Sequence, residues 1–302
     1  MVRLLALLLL IAGSAAAQER LPVVATTTDL RALVEAVGGE HVAVTSIAPP
    51  TLDAEDFRPK PQDVARLAGA RLAVRVGLDY DLWFDRLLAQ AGRVELMRGQ
   101  AGYVDASFAI PVLEVRGGAI GPGDGHAHGN GNPHYWLDPK NAEIITASIL
   151  EALARLDPAR ADAFARNRQS FLAALEQKLA GWEQRMAALH GRPLVAYHNS
   201  WAYLARRFRL DIAGVIEPKP GVQPSPAHLA AMIRLMRDKQ VGIVIRAPHE
   251  PERDAAFLAA KTGATVVTLA GSVGALPRAT DFLALFDADV DALTAAMRAS
   301  AR

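Results

Sequence analysis

Short apolar runs rich in β-branched residues alternate along the chain with longer segments in which apolar residues recur every three or four positions. The short runs predict buried strands, and the longer segments predict amphipathic helices. Strands and helices that alternate in this way form parallel sheets covered by helices on both faces. The predicted strands are residues 21–28, 41–47, 71–77, 193–197, 211–216, 241–245 and 265–269.

The predicted helices lie between these strands. Asp29 precedes the first helix, and two glycines, Gly38 and Gly39, close it. The predicted helices are residues 30–37, 63–68, 79–91, 157–190, 201–208, 228–239 and 252–262, with a last helix that begins at Val290.

The predicted helix at residues 157–190 is much longer than the others. Asp157 is a good N-cap, and Pro158 occupies the first helical position. At 1.5 Å per residue, about 30 residues span roughly 45 Å, which is more than one small domain needs. We therefore expect an α/β fold of two Rossmann-like lobes with parallel sheets, joined by a long rigid backbone helix. A single domain with an ordinary crossover helix is the alternative.

The expected division of the chain is a signal peptide at residues 1–17, an N-terminal lobe at 18–156, the connecting helix at 157–190 and a C-terminal lobe at 191–302. Residues 1–17 combine a charged start, a short apolar run and an Ala-rich exit, which is typical of a secretory signal. We therefore expect a soluble, monomeric periplasmic protein. Two such lobes leave a cleft at the carboxyl ends of their strands, where ligands bind in open α/β sheets.

Composition narrows the possible partners. The chain has no cysteine, so we expect no disulfide, no thiolate ligand for a metal and no lipidated membrane anchor. Its 33 Lys and Arg residues balance 32 Asp and Glu residues and are scattered through helical segments, so nothing suggests a nucleic-acid partner.

Three of the eight histidines lie in residues 117–139. A glycine-rich stretch carries His126 and His128, and it leads into a stiffer segment with two prolines and two aromatic residues around His134. Imidazole is a common ligand for borderline metals, and a rigid frame suits a ligand, so His134 is a candidate metal ligand. A buried structural histidine is the alternative for His134, and a solvated linker is the alternative for His126 and His128.

Polar residues also follow several predicted strands, at the edge that faces the expected cleft. His198 follows the strand at 193–197, His249 follows the strand at 241–245, and a proline-rich loop with Asp53, Glu55 and Asp56 follows the strand at 41–47. Each histidine taken alone also fits a hydrogen-bonded strand cap. Together they form a nitrogen and oxygen donor set without sulfur, which suits zinc, manganese or iron(II).

The chain resembles the solute-binding proteins of zinc and manganese ABC importers over essentially its whole length after residue 17. Residues 133–139, Pro-His-Tyr-Trp-Leu-Asp-Pro, are similar to that family's Pro-His-x-Trp-Leu-Asp-Pro. Residues 197–208 are similar to its third-ligand segment, and residues 59–63 to its Glu-Pro-x-Pro-x-Asp. The resemblance implies a metal cleft between the lobes, His134 and His198 as ligands, and the membrane permease of an ABC importer as partner.

Two departures from the family pattern affect the expected site. Glu55 stands where the family usually has a histidine ligand, and Ala270 stands where it usually has a carboxylate. Glu55 can still coordinate through oxygen, and His249 on a neighbouring strand end can replace the lost acid. The expected ligands are therefore His134, His198, His249 and Glu55, a set that favours zinc over manganese.

Two other functions compete with metal delivery. A secreted metal-dependent hydrolase would need a general base, for which Glu217 and Glu250 are the cleft candidates, but no His-Glu-x-x-His or Gly-x-Ser-x-Gly motif is present. A family member with weakened affinity could serve as a metal chaperone or bind a metal chelate. We expect a transport protein and not an enzyme.

Overall fold

The computed structural model describes residues 19–115, 130–219 and 221–300. The predicted signal peptide at residues 1–17 lies outside the described residues, and so do His126 and His128.

The N-terminal lobe is built on a four-stranded sheet in the order β2-β1-β3-β4, and all its strands are parallel. Its strands are β1 (Leu21–Ala25), β2 (Val42–Ser46), β3 (Leu72–Arg75) and β4 (Tyr103–Asp105). Its helices are α1 (Thr28–Gly38), α2 (Pro61–Arg66), α3 (Trp83–Gln90) and α4 (Ala142–Leu156). Neither β4 nor α4 is among the predicted elements, although α4 carries apolar residues at helical spacing.

The connecting helix α5 (Ala161–Met186) is flanked by the 3-10 turns Pro158–Arg160 and Ala187–Leu189, as the long pattern at 157–190 predicts. Its buried residues include Phe164, Leu175 and Trp182. The helix packs on α1 and α4 of the N-terminal lobe. It therefore serves as a rigid support for this lobe and continues past it.

The C-terminal lobe repeats the design with a second parallel sheet, in the order β6-β5-β7-β8. Its strands are β5 (Pro193–Ala196), β6 (Asp211–Val215), β7 (Ile243–Arg246) and β8 (Thr265–Thr268). Its helices are α6 (Ala202–Phe208), α7 (Pro226–Asp238), α8 (Glu252–Thr262) and α9 (Phe282–Ser300), and α9 packs on α5. The predicted α/β class with two parallel sheets and a long linking helix is confirmed.

Most helices begin one to four residues from their predicted starts, and the last helix begins eight residues before its predicted start. The helix predicted at 79–91 begins at Trp83: the positive φ angle of Asp79 excludes this residue from an α-helix, and residues 80–82 form a turn before the helix. The last helix begins at Phe282 and not at Val290, because the Asp281 carboxylate caps its first turn by accepting from two backbone N–H groups.

One apolar core continues through both lobes and α5. It joins Leu33 of α1, Trp182 of α5 and Phe286 of α9, while a smaller cluster lies on the far side of the second sheet under α7 and α8. A shared core resists wide separation of the lobes, because opening it exposes apolar surface to water. Among the described residues, no helix has the length and apolarity required to span a bilayer.

Candidate metal centre

Three predicted ligands come together where the two lobes meet. Glu55, His134 and His198 each offer a ligand atom, and these atoms lie within 4.8 Å of one another. His134 Nε2 lies 3.5 Å from Glu55 Oε1, and the rings of His134 and His198 have centroids 5.8 Å apart. Within the described part of the chain, no other group of three histidine or carboxylate side chains is placed in this way. Glu55 and His134 come from the N-terminal lobe, and His198 comes from the C-terminal lobe.

Glu55 is held in position although its loop has no regular structure. The Asp53 carboxylate accepts a hydrogen bond from the Glu55 backbone N–H at 2.9 Å. The next anchor is the Trp83 indole, which donates to the Ala54 carbonyl at 2.8 Å. The Glu55 side chain is only 4% exposed, so it is a buried carboxylate and not a solvated loop residue.

His134 lies in a rigid frame, as its flanking prolines and aromatic residues predict. The Tyr135 hydroxyl donates to the Val76 carbonyl at 2.6 Å, and the Trp136 indole donates to the Gly271 carbonyl of the other lobe at 3.0 Å. The Tyr80 ring packs edge-on against the imidazole, with centroids 5.3 Å apart. The His134 side chain is 6% exposed, so little water reaches it.

His198 follows β5, and its ring nitrogen Nδ1 pairs with the Glu217 carboxylate. Glu217 follows β6, the strand that is hydrogen-bonded to β5, so both side chains leave the sheet at the same edge. Burial lowers the pKa of His198, but the hydrogen bond to Glu217 and the carboxylate of Glu55 outweigh burial and raise this pKa to about 9. The pairing leaves Nε2 as the nitrogen available to a metal ion and holds the ring in one orientation.

His249, Asp53 and Asp56 line a cavity of about 790 Å³. Burial and the neighbouring charge of Glu55 raise the pKa of Asp53 to about 6. Burial, followed by the neighbouring His198 and Arg246, lowers the pKa of His249. His249 is not one of the three side chains whose ligand atoms lie within 4.8 Å of one another, so its role as a ligand stays a prediction.

The other cleft residues from the sequence analysis have structural partners. Glu217 binds His198, and Glu250 accepts a hydrogen bond from the backbone N–H of Ala247. Ala270, where the resembling family has an acid, is buried and donates its N–H to Asp289 at 2.6 Å.

Asn132, which the sequence did not single out, is hydrogen-bonded to a predicted ligand. Asn132 Oδ1 lies 3.1 Å from His134 Nδ1 and also accepts the His134 backbone N–H at 3.0 Å. A clue was present, because an Asn side chain commonly bonds the backbone two residues ahead.

Two α/β lobes on a shared long helix, with a buried Glu/His/His group at their junction, define a metal-binding protein of the solute-binding class. The family model described as ZnuA, zinc-uptake complex component A, periplasmic, matches residues 23–296, and the chain belongs to this family. The protein is therefore a periplasmic metal-binding component of an ABC importer. Members of this family are solute-binding proteins and not enzymes, which confirms the expectation of a non-enzyme.

Individual relatives are named for different metals. The chain is similar to the iron-binding protein YfeA of Yersinia pestis, at 25% identity over 283 residues that cover 91% of this chain and 86% of YfeA. It is also similar to PsaA of Streptococcus pneumoniae, a manganese ABC transporter substrate-binding lipoprotein, at 24% identity over 76% of this chain and 72% of PsaA. A crystal structure of ZnuA superposes with a TM-score of 0.77 at 25% identity, covering 92% of this chain and 99% of ZnuA.

Proposed function

We propose that the protein captures zinc in the periplasm and delivers it to the permease of an ABC importer. The observation that carries the proposal is the convergence of Glu55, His134 and His198 from both lobes on one buried point. A cation held there bridges the lobes, so loading and release depend on how the lobes meet.

The donor set favours zinc over manganese. Two imidazoles are borderline nitrogen donors and, with one carboxylate, suit tetrahedral zinc, whereas manganese prefers oxygen-rich, six-coordinate sites. YfeA and PsaA are named for iron and manganese. Those names concern those proteins, and Ala270 in this chain offers no oxygen side chain at the position where the family pattern has an acid.

We propose His249 as the fourth ligand, with manganese as the less favoured cargo. Its placement after β7, its position with Asp53 in one cavity and the influence of the His198 charge on its pKa support this role. A third neutral nitrogen makes the site more selective for zinc.

Release follows from small movements under this proposal. The shared core and α5 oppose a wide hinge opening, so shifts of loops or of one lobe by a few ångströms suffice to separate His198 from His134 and Glu55. We further propose a monomer with a signal peptide at residues 1–17, lobes at 18–156 and 191–302, and the connecting helix at 157–190.

Calorimetric titration of the metal-free protein with zinc tests the proposal. We expect one zinc per chain, and we expect His134→Ala and His198→Ala each to weaken binding by at least about tenfold, because water replaces a ligand. His228→Ala is the matched control, since His228 lies on α7 outside the group. If both ligand variants titrate like the wild type, the binding site lies elsewhere. A parallel manganese titration with equal or tighter affinity contradicts the zinc preference.

A further inference from the structure

The Asn132 side chain has hydrogen-bond partners that fix which way its amide points. Its Oδ1 accepts the backbone N–H of His134, a group that can only donate. Its Nδ2 donates to the backbone carbonyl of Asn199 at 2.8 Å, a group that can only accept, and to Glu114 Oε2 at 3.1 Å. In a flipped amide, the NH2 group would face the His134 N–H, and the amide oxygen would face the oxygens of Asn199 and Glu114. Only the unflipped orientation therefore satisfies every partner.

This orientation determines the tautomer of His134. Oδ1 of Asn132 also faces His134 Nδ1 at 3.1 Å, and an amide oxygen accepts but never donates. The proton of the neutral imidazole must therefore sit on Nδ1, which leaves the lone pair on Nε2. Nε2 is the nitrogen that lies 3.5 Å from Glu55 Oε1, on the side of the three ligands.

The groups that hold Asn132 belong partly to the other lobe. Asn199 is the residue after His198, and it contributes its carbonyl to Asn132 and its side-chain amide to Glu114 Oε2 at 2.7 Å. The buried Tyr203 hydroxyl adds a second link, since it accepts the Leu113 N–H at 3.0 Å and donates to the Asn132 carbonyl at 2.8 Å. The frame of His134 is thus bonded directly to the segment that carries His198.

We infer that Asn132 is a positioning residue that keeps His134 in the Nδ1–H tautomer. Because Asn132 is hydrogen-bonded to Asn199, its effect on the tautomer depends on contact between the lobes. The inference deepens the proposed metal-binding function and rests on it. When the lobes separate, Asn132 loses the Asn199 carbonyl, and His134 loses its fixed orientation as His198 withdraws. Two ligands are then weakened by one movement, which favours rapid release.

The first test measures the His134 tautomer directly in the metal-free protein. Nitrogen-15 NMR of the histidine rings in the metal-free protein should show His134 protonated at Nδ1 in the wild type and a mixture of tautomers in Asn132→Leu. Asn141→Leu is the matched control, because Asn141 is a buried Asn that holds the same turn through the Tyr135 carbonyl. An unchanged tautomer in Asn132→Leu overturns the inference.

The second test reads zinc binding. We expect Asn132→Leu to weaken zinc affinity about tenfold or more, mainly through faster dissociation, while Asn141→Leu loses stability without losing affinity. Glu114→Ala removes one exposed partner of Asn132, so it should fold normally, keep the tautomer and release zinc faster than the wild type. Wild-type dissociation from Glu114→Ala contradicts the coupling. A wild type that binds no zinc refutes the proposed function, and the tautomer then still decides the role of Asn132.

Discussion

Two buried carboxyls away from the metal centre make stability depend on pH. Asp29 of α1 accepts a hydrogen bond from the Val273 N–H at 2.8 Å, and Asp289 of α9 accepts one from the Ala270 N–H at 2.6 Å. Both carboxyls therefore bind the loop that follows β8. The second oxygen of each carboxyl has no partner among the described residues. Burial raises the pKa of each group to about 7, and the charge of Asp29 contributes to the raised pKa of Asp289.

The sign of the effect follows from proton binding. In the unfolded chain these carboxyls have an ordinary pKa of 3.8, so between pH 4 and pH 7 the folded protein binds more protons than the unfolded chain. The free energy of unfolding therefore falls as pH rises through this window and is unaffected by these groups well below pH 4. A shift of roughly three units corresponds to on the order of 4 kcal/mol for one carboxyl, at 1.36 kcal/mol per unit.

Asp289→Asn removes the contribution of one of these two carboxyls to the pH dependence while keeping the shape of the side chain. The amide oxygen can still accept the Ala270 N–H, but no charge has to be buried at neutral pH. We expect the free energy of unfolding of the variant, relative to wild type, to increase by a few kcal/mol between pH 4.5 and pH 8.

Urea denaturation of the metal-free protein at pH 4.5, 6 and 8 measures this difference. Comparing the stability difference at pH 4.5 with that at pH 8 cancels any pH-independent cost of burying the new amide. The control is Asp238→Asn, which changes an exposed carboxyl at the end of α7. Parallel stability curves for the wild type and Asp289→Asn between pH 4.5 and pH 8 would refute the reasoning.

The other predictions concern zinc binding. Glu55→Gln should weaken zinc affinity in calorimetry while keeping the loop intact, and an unchanged affinity would make Glu55 a structural carboxylate. Zinc affinity should rise with pH up to about pH 9, because zinc displaces a proton from His198, and affinity that is flat from pH 7 to 9 would contradict this. His249→Ala should bind zinc more weakly at neutral pH, with a pH dependence between pH 5 and 6.5 shallower by about one proton. Identical curves would reduce His249 to a strand-end cap.

Much of the fold could be predicted because the signals are local. The apolar runs of β1, β5 and β7 and the proline-free pattern of α5 each determine an element within a few neighbouring residues. The three-residue strand β4 carries too little pattern to be recognised, since only Val104 is buried in it. Leu78 and Asp79 have positive φ angles just before α3, and neither residue type indicates such an angle in the sequence.

The candidate site was predictable as far as strand ends are predictable. His198 and the loop of Glu55 each follow a strand, so each lies at the carboxyl edge of its own sheet. Ligands of open α/β sheets bind at these edges, so a shared site in the cleft between the lobes could be anticipated. The partner of His198 could not be predicted, because Glu217 is 19 residues away and reaches His198 only if β5 and β6 are neighbours in the sheet. The contact of Asn132 with Asn199 depends on how the lobes dock, which no local pattern encodes.

Anomalous diffraction at the zinc edge, from crystals grown with one equivalent of zinc, locates the bound ion relative to Glu55, His134 and His198. We expect a single peak at about 2.0–2.2 Å from the Glu55 carboxylate, His134 Nε2 and His198 Nε2, which are the usual zinc–oxygen and zinc–nitrogen distances. A single peak outside these three side chains, such as in the cavity lined by Asp56 and His249, would contradict the account.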